Sequence, residues 1–331
     1  MIRPTLKTLA EATGLAVATV SRALKDAPDI SKETKRRVSE AAATLGYQPN
    51  RAGVRLRTGK TNVVALVFSA EAEMMNHTSR LIYSITAAMR GTAYHMIVFP
   101  MAADENPMDP IRYIVETGSA DGVIMNQTRP DDPRAHYMAK RDFAFATHGR
   151  TDTGIDHPYF DCDNHSFARI ATQQLASRGH KRLLLIAPPT DQNYGLHMIE
   201  GFRSECQALG LAGDVLATLS SDSNAPTLEA ALAARFAQPT PPDAIISGST
   251  NAAVSAIIGA ESVGKTIGRD FDLVAKEAFP FLKRFRRDII AYHEDIDAAG
   301  GFLARALIAT IEKRAIGTGQ FLDQPSAADF A

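Results

Sequence analysis

Cysteine, long apolar runs and an export signal are what this 331-residue sequence most clearly lacks. Its two cysteines, Cys162 and Cys206, have no paired spacing, so we expect neither a disulfide framework nor a metal site, and no cofactor. No apolar run reaches the roughly 18 residues of a membrane-spanning helix, and residues 1–4 begin no signal peptide. These absences predict a cytoplasmic protein without membrane contact.

A catalytic constellation is also missing. No Ser-His-Asp set, metal-ligand cluster or acid pair at a defined spacing emerges, although His148, Asp161 and His197 are scattered where a site could be hidden. We therefore expect a protein that is not an enzyme. With 45% hydrophobic and 22% charged residues, the chain should be globular throughout, and it is long enough for two or three domains.

The small net charge of −1 hides an uneven distribution along the chain. Residues 1–60 carry 12 Lys and Arg against 5 Asp and Glu, a net charge of +7, and the rest of the chain carries −8. A basic segment on an acidic body indicates that only the first sixty residues meet a polyanion such as nucleic acid. Charge alone leaves a solvated basic face as the alternative.

Apolar residues in the basic segment recur at helical spacing in three short blocks, which predicts a three-helix bundle. The blocks are Leu6, Leu9 and Ala10; Val17, Val20 and Leu24; and Val38, Ala41, Ala42 and Leu45. Thr5 can cap the first helix, and Gly14 leaves a turn short enough for a helix-turn-helix corner. Ser31 begins the third helix and Gly46 ends it.

Three stretches of the basic segment form motifs in register. They are GLAVATVSRAL at residues 14–24, residues 32–50 ending in LGYQPN, and LRTGKT at residues 56–61. The first resembles the helix-turn-helix signature of the LacI/GalR family of lac repressor-like transcriptional regulators, the second its third helix and the third its hinge. The resemblance implies a homodimer that reads double-stranded, near-palindromic operator DNA with paired headpieces.

The resemblance assigns roles to residues of the second helix, which enters the major groove in this family. Val17 and Ala18 would read base edges by apolar contact, and Arg22 would pair with guanine. Thr19 and Ser21 would contact phosphates and so position the helix. The DNA-contacting residues expected in total are Thr5, Val17, Ala18, Thr19, Ser21, Arg22, Asn50, Arg55, Leu56 and Arg57.

The hinge that the resemblance implies folds on DNA, with Leu56 of each subunit inserted into the minor groove. Arg55 and Arg57 would supply charge for the flanking phosphates. Two departures from the family pattern weaken local order. Ala16 stands where a capping serine is usual, and Gly53 inside a helix costs about 1 kcal/mol relative to alanine. We therefore expect the headpiece to depend on DNA for its final order.

Short β-branched runs alternate with helical stretches from residue 62 onward. The predicted strands are 63–68, 96–99, 123–125, 183–186, 244–246 and 273–274, and the predicted helices are 81–89, 167–177, 198–209, 228–236 and 252–263. Such alternation predicts parallel sheets with helices on both faces, and it exceeds what one sheet usually holds. The expected fold class is an α/β core of two doubly wound parallel-sheet lobes with an all-α helix-turn-helix headpiece.

The core also carries landmarks of the same family: ADGVI at 120–124, Asp163-Asn164, GHKR at 179–182 and GF at 201–202. The resemblance implies a periplasmic-binding-protein-like core, whose chain crosses between lobes three times, here near 161–163, 292–295 and 320. The expected divisions are a headpiece at 1–49, a hinge helix or linker at 50–60 and an effector-binding and dimerisation core at 61–331. The core would comprise an N-lobe at about 61–161 plus 293–320 and a C-lobe at about 162–292 plus 321–331.

Ligands of such folds bind in the cleft at the carboxyl ends of the strands, where polar residues are the candidates. Asn126 falls where the family has a polar effector contact, and Glu277 aligns roughly with an acidic one. The candidate effector-binding residues are Ser69, Glu71, Thr78, Ser79, Asn126, His148, Arg150, Asn193, Met198, Ser249 and Glu277. For each, loop solvation or helix capping is the alternative role. Their polar groups suit a sugar or sugar derivative.

Three features of the core depart from the family pattern. Met198 stands where many members have an arginine that grips the effector, and the loop 220–224 lacks an aromatic residue to stack on a sugar ring. Lys276 lies in a strand end that usually contains glycine. These departures predict an unusual effector geometry.

Residues 259–266, GAESVGKT, match the phosphate-binding loop pattern letter for letter. That loop works by following a strand and opening a helix, so that backbone N–H groups face the phosphates. Here the predicted helix comes first and the strand follows. We therefore interpret Gly264 as a helix stop and expect no nucleotide site.

Headpiece and core together indicate ligand-controlled repression. A bound effector would change the angle between the lobes, separate the hinges and lower operator affinity, or raise it if the effector is a corepressor. A ligand-responsive activator, and a solute-binding protein or enzyme reusing the core, are the alternatives. The basic headpiece and the absence of an export signal disfavour the second. No leucine heptads follow the core, so we expect a dimer rather than a tetramer.

Overall fold

The computed structural model describes residues 4–47, 55, 59–69, 75–102, 104–315 and 317–330. The chain divides into two units, residues 1–61 and 62–331. Among the helices that are described, none is long and apolar enough to cross a membrane.

The first unit contains a bundle of three short helices, α1 (Leu6–Thr13), α2 (Val17–Ala23) and α3 (Lys32–Leu45). Leu9, Val20 and Val38, one from each helix, are fully buried at its centre. Isolated helices of this length are marginal in water, so each depends on packing against the other two. This small shared core orients α2 and leaves its remaining face exposed.

The second unit begins with the N-lobe, which is built on a parallel sheet. Its strands are β1 (Val63–Ser69), β2 (His95–Met101), β3 (Gly122–Met125), β4 (Ala144–His148), β5 (Tyr159–Cys162) and β11 (Gln320–Asp323), in the spatial order β11-β5-β4-β3-β1-β2. Helices α4 (Met75–Ala88) and α12 (Ile296–Ile311) cover one face, and α5 (Met108–Thr117) and α6 (Pro133–Ala139) cover the other. Strand β1 is buried along its whole length, because helices cover both of its faces.

The C-lobe repeats this architecture with five parallel strands. They are β6 (Arg182–Ile186), β7 (Ala212–Val215), β8 (Ala244–Ser247), β9 (Asp272–Glu277) and β10 (Ile289–His293), in the order β10-β9-β8-β6-β7. Helices α7 (Asn164–Ser177) and α8 (Asn193–Leu209) cover one face, and α9 (Ala225–Phe236), α10 (Thr250–Ser262) and α11 (Leu282–Phe285) cover the other. Gly201 lets α8 approach α7 closely, because a Cβ there would lie 2.2 Å from the His165 carbonyl oxygen.

Three crossings connect the lobes. The chain passes from β5 into α7 at Asp163, and from β10 into α12 through Glu294 and Asp295. The third crossing requires a correction, because β11 pairs with β5 from Gln320 as far as Asp323. Residues 321–323 therefore belong to the N-lobe sheet, whereas the sequence places them in the C-lobe. Beyond them, Phe330 packs into the C-lobe core.

The segment that matches the phosphate-binding loop ends a helix instead of opening one. Its first residues belong to α10, Gly264 follows with φ +79°, and the next strand is β9. Within residues 259–266 a helix ends and none begins, so this segment lacks the helix N-terminus that a phosphate-binding loop requires. This order of elements is the one that the sequence predicts.

Candidate functional site

Helix α2 presents one face outside the headpiece core. Val17, Ala18 and Arg22 are exposed on this helix, while Thr19 and Ser21 are partly exposed. Apolar groups beside a guanidinium are the chemistry that reads thymine methyl groups and guanine edges in a major groove. The face can therefore contact base edges without disturbing Val20 in the core.

Arg22 forms an ion pair with the exposed carboxylate of Asp29. Exposed ion pairs contribute only about 0–1 kcal/mol, so the guanidinium can exchange Asp29 for a guanine edge at small cost. The predicted contacts Asn50, Leu56 and Arg57 lie outside the described residues. Arg55 is described and exposed.

The two helices of the helix-turn-helix differ in their caps. Thr5 caps α1 reciprocally with Thr8, since the Thr8 backbone N–H donates to Thr5 Oγ1 at 3.2 Å and that of Thr5 donates to Thr8 Oγ1 at 3.1 Å. Ala16 at the start of α2 makes no side-chain cap bond. The N-terminus of α1 is thus stabilised by side-chain caps, while the N-terminus of α2 has no side-chain cap.

The second unit contains a cleft between its lobes, which we call the interlobe cleft. It encloses about 840 Å³ of space, part of which is open to solvent. Strands of both sheets end at it. Its lining residues are His77, Asn126, Gln127, His148, Gly149, Asp161, Asn164, Pro188, Tyr194, Met198, Ser221, Asp222, Gly248, Ser249, Thr250, Asn251, Lys276, Glu277, Ala278 and Glu294.

A buried ion pair lies at the floor of the interlobe cleft. Lys276 Nζ donates to Glu294 Oε2 at 2.7 Å and to Asn164 Oδ1 at 2.9 Å. Burial alone would raise the pKa of Glu294, but Lys276 beside it, with smaller contributions from His148 and His77, lowers that pKa to about 2. Burial opposes the charged form of Lys276, yet the acidic groups facing it raise its pKa. Both partners are therefore ionised at neutral pH.

Asp161, at the end of β5, faces the same floor from the N-lobe. Burial raises the pKa of Asp161 to about 7, although Arg150 and Lys276 oppose that shift. Arg150 Nε lies 3.4 Å from Asp161 Oδ2, and the other end of the guanidinium lies 3.2 Å from His197 Nδ1 on α8. Arg150 therefore links a buried N-lobe carboxyl group to a C-lobe helix.

Several buried polar atoms in the cleft have no hydrogen-bond partner within the described part of the chain. They are Asn126 Oδ1, His148 Nε2 and His77 Nδ1. Burial, with His77 beside it, lowers the pKa of His148 to about 3, so this imidazole is neutral. Each buried polar group without a partner costs about 1–3 kcal/mol. A ligand or water that forms hydrogen bonds with these atoms would remove this cost.

Comparison with known proteins identifies the chain. Residues 5–50 match the model of bacterial regulatory proteins of the lacI family, and residues 172–326 match that of a periplasmic binding protein-like domain. The chain is 30% identical over 312 residues to the HTH-type transcriptional regulator AglR of Rhizobium meliloti (strain 1021), covering 92% of this chain and 87% of that protein. It belongs to the LacI family. It is a DNA-binding transcriptional regulator and not an enzyme, as the sequence predicts.

Further relatives of this LacI-family regulator agree. The HTH-type transcriptional regulator RafR of Escherichia coli is 31% identical over 278 residues, which cover 83% of this chain and 82% of RafR. The lac repressor dimer bound to operator and the anti-inducer ONPF has the same fold, with a TM-score of 0.84, 18% identity and coverage of 98% and 97%. The transcriptional regulator CelR in complex with cellobiose has a TM-score of 0.68 at 22% identity, with 97% of both chains covered.

The structure of this LacI-family chain brings five of the predicted effector residues to the cleft: Asn126, His148, Met198, Ser249 and Glu277. Two of these also stabilise local structure. Ser249 Oγ caps α10, and Glu277 Oε2 accepts from the backbone N–H groups of Phe281 and Leu282 at 3.0 and 2.8 Å. Ligand contact by all five remains a prediction.

The other predicted effector residues lie elsewhere in the core. Ser69 lines a second cavity that shares Gln127 and Asp222 with the interlobe cleft, Thr78 is fully buried and Ser79 is exposed. Asn193 Nδ2 donates to the Arg150 carbonyl oxygen at 3.0 Å, so these two residues join the lobes. Glu71 lies outside the described residues. None of the four described residues Thr78, Ser79, Arg150 and Asn193 is among those that line the cleft.

Several lining residues were missed at the sequence level. Glu294 follows β10, whose short IIAYH run was not predicted as a strand. His77 lies in the first turn of α4, one turn before the predicted helix start at residue 81. Tyr194, Ser221 and Asp222 come from loops and helix starts with no special spacing. The available signal was Lys276, because a lysine ending a buried strand requires a buried anionic partner.

Proposed function

We propose that this LacI-family chain is a repressor whose operator affinity is controlled by a carbohydrate bound in the interlobe cleft. The observation that carries the proposal is the set of unpartnered buried polar atoms, Asn126 Oδ1, His148 Nε2 and His77 Nδ1, around a cavity open to both lobes. Sugar hydroxyl groups both donate and accept hydrogen bonds, so a single ligand can satisfy this mixed set. The solved CelR complex with cellobiose supports this choice of ligand.

Control of DNA binding follows from how the cleft is shared between the lobes. Asn126 and His148 come from the N-lobe, while Tyr194 and Ser249 come from the C-lobe. A ligand that contacts residues of both lobes stabilises one interlobe angle relative to another. The stabilisation equals the difference between its binding free energies to the two arrangements of the lobes. Effector binding then changes the spacing of the two headpieces in a dimer.

Direct hydrogen bonds already hold the lobes together around the cleft. The Asn193 N–H donates to the Thr128 carbonyl oxygen at 2.8 Å, and Arg129 pairs with Asp191 at 2.9 Å. Any rotation of the lobes must break such contacts. A ligand that favours a different interlobe angle must therefore compensate for their loss.

The homodimer is proposed from a group of exposed aromatic residues on the C-lobe. Phe279, Phe281 and Phe285 of the C-lobe are 44%, 42% and 55% exposed. The Arg80 guanidinium of α4 lies 5.7 Å from the Phe279 ring centroid, which places the N-lobe beside the group. Exposed apolar clusters mark interaction surfaces, and the dimeric lac repressor of the same fold supports a second copy as the occupant.

The test of effector control combines selection and competition. Operator DNA is enriched from a random pool with the purified chain, and neutral sugars are screened by thermal shift. Each hit is added to an operator titration followed by fluorescence anisotropy. We expect a sugar that raises the melting temperature also to change operator affinity. A chain that enriches no DNA, or whose operator affinity no stabilising sugar alters, contradicts the proposal.

A pair of variants localises the response. Asn126→Ala should abolish the effect of the sugar while leaving sugar-free operator binding intact, because Asn126 belongs to the cleft and not to the headpiece. Gln207→Ala replaces an exposed amide on α8 and serves as the matched control. Equal sugar responses of the two variants would place the effector outside the cleft.

A further inference from the structure

Two imidazoles and a carboxylate converge at one side of the interlobe cleft. His77 lies in the first turn of α4, His148 is the last residue of β4, and Glu294 lies at the crossing from β10 to α12. The two rings meet edge to face with centroids 4.9 Å apart, and His148 Nε2 lies 3.7 Å from Glu294 Oε1. One possible ligand atom from each residue lies within 4.8 Å of the others. We call these three residues the imidazole–carboxylate cluster.

One ring nitrogen of each imidazole is buried without a hydrogen-bond partner among the described residues. These atoms are His77 Nδ1 and His148 Nε2, and only 10% of the His148 side chain is exposed. Glu294 Oε2 is already held by Lys276 at 2.7 Å, which leaves Oε1 directed toward His148. Three separate elements thus aim one unused ligand atom each at the same small volume.

We propose that the imidazole–carboxylate cluster binds a divalent transition metal, with Zn²⁺ as the best match. Two histidine nitrogens and one carboxylate oxygen are a common three-residue zinc donor set, in which the fourth position stays open. In a tetrahedral site with bonds of about 2.0–2.1 Å, the ligand atoms lie roughly 3.3 Å apart. His148 Nε2 and Glu294 Oε1, 3.7 Å apart, are near this spacing. Rotation of the His77 side chain would bring its nitrogen from within 4.8 Å of the other two atoms to the same spacing.

The surroundings set the expected strength and selectivity of the site. The Lys276 hydrogen bond orients the Glu294 carboxylate, as outer-shell partners of metal ligands commonly do. Its positive charge also opposes a cation, so we expect binding weaker than that of a structural zinc site. Imidazole ligands favour Zn²⁺, Ni²⁺ and Cu²⁺ over Mg²⁺ and Ca²⁺, which prefer oxygen ligands. The open position faces the cleft, where water or a ligand oxygen completes the coordination.

The experiment is a calorimetric titration of the untagged full-length chain, freed of metal, with ZnCl₂ and separately with MgCl₂. We expect one Zn²⁺ per chain and no binding of Mg²⁺. His148→Ala and His77→Ala should each weaken Zn²⁺ binding by at least about 100-fold. Loss of a residue that only supports a metal ligand weakens binding by up to about 100-fold, so loss of a direct ligand should exceed that. His136→Ala is the control, because His136 is exposed on α6 beside Asp131 and can bind zinc only at the surface.

Co²⁺ gives a readout that a folding defect cannot imitate. The wild-type chain with Co²⁺ should show the visible absorption of a tetrahedral site, and Glu294→Gln should shift it while the far-ultraviolet circular dichroism stays unchanged. Absence of saturable Zn²⁺ binding overturns the proposal, as does binding that His148→Ala and His77→Ala leave unaltered. Neither DNA nor sugar enters the assay, so failure of the metal proposal can be distinguished from failure of effector control, although His77 and His148 take part in both proposals.

Discussion

Replacing Lys276 with methionine should destabilise the core strongly. The side chain fits the same volume, but Glu294 would lose the ammonium that lies 2.7 Å from its Oε2. The carboxylate is only 8% exposed, so water replaces the Lys276 ammonium poorly. Asn164 Oδ1 would lose its donor as well. Lys276→Met therefore leaves a buried anion and a buried amide oxygen uncompensated.

The size of the effect follows from the burial of both partners. Removing one member of a buried ion pair costs about 3–5 kcal/mol, because the remaining charge stays in a low-dielectric environment. For a domain of 150–250 residues, each kcal/mol shifts the melting temperature by about 2–4 °C. We therefore expect Lys276→Met to lower the melting temperature of the core by about 10 °C.

Urea unfolding followed by far-ultraviolet circular dichroism measures the change in the free energy of unfolding. The double variant Lys276→Met, Glu294→Gln removes both charges and should recover most of the loss, since replacing a whole buried pair is often neutral. Lys140→Met, at an exposed lysine after α6, controls for the loss of a lysine. The reasoning would be refuted if the free energy of unfolding of Lys276→Met lay within about 1 kcal/mol of wild type, a small fraction of the expected loss. It would also be refuted if the double variant were less stable than Lys276→Met alone.

Three further predictions concern the headpiece and the N-lobe. Arg22→Ala should weaken specific operator binding by about 1–3 kcal/mol, the contribution of one bidentate guanine contact, in an anisotropy titration. Arg36→Ala on α3 is the control. An equal loss of affinity in both variants would argue against base reading by Arg22. Ala16→Ser adds the missing cap of α2 and should stabilise the headpiece by about 0.5–2 kcal/mol in thermal unfolding; an unchanged unfolding temperature would show that α2 needs no cap. Burial alone would raise the pKa of Asp132, but Arg134 lowers it, so the folded state gains stability that is lost as pH falls through this lowered pKa. Asp132→Asn should therefore flatten the acid limb of a pH-stability profile, and an unaltered limb would contradict this account.

The sequence predicts the fold well where hydrophobic patterning is strong. Strand β1 is a continuous apolar run covered on both faces, and the predicted strand 63–68 differs from it by one residue. Helix α12 was missed despite its apolar composition, because its buried residues lie all round the helix and leave no alternation of polar and apolar faces. Strand β11 was missed because its residues are exposed or half-buried at a sheet edge.

The candidate sites are predicted to different degrees for a physical reason. The exposed residues of α2 follow from helical spacing within one short segment, so Val17, Ala18 and Arg22 could be chosen locally. The imidazole–carboxylate cluster joins residues 71 and 146 positions apart, and only the packing of β4, α4 and the second crossing brings them together. Sequence spacing carries no information about such contacts. It identified His148 as a strand-end residue and left its partners unknown.

The charge balance of the cleft leads us to expect a neutral molecule as the proposed effector. Met198 stands where many family members have an arginine, and among the described lining residues the permanent cation is Lys276 instead. Lys276 is neutralised by Glu294, with Asp161 facing it as well, so a negatively charged ligand would meet a carboxylate without a free cation. We therefore expect neutral sugars to raise the melting temperature of the metal-free chain and the corresponding sugar phosphates and sugar acids not to do so at neutral pH. Stabilisation by a sugar phosphate at least as large as that by its parent sugar would show that the Lys276–Glu294 pair opens on binding.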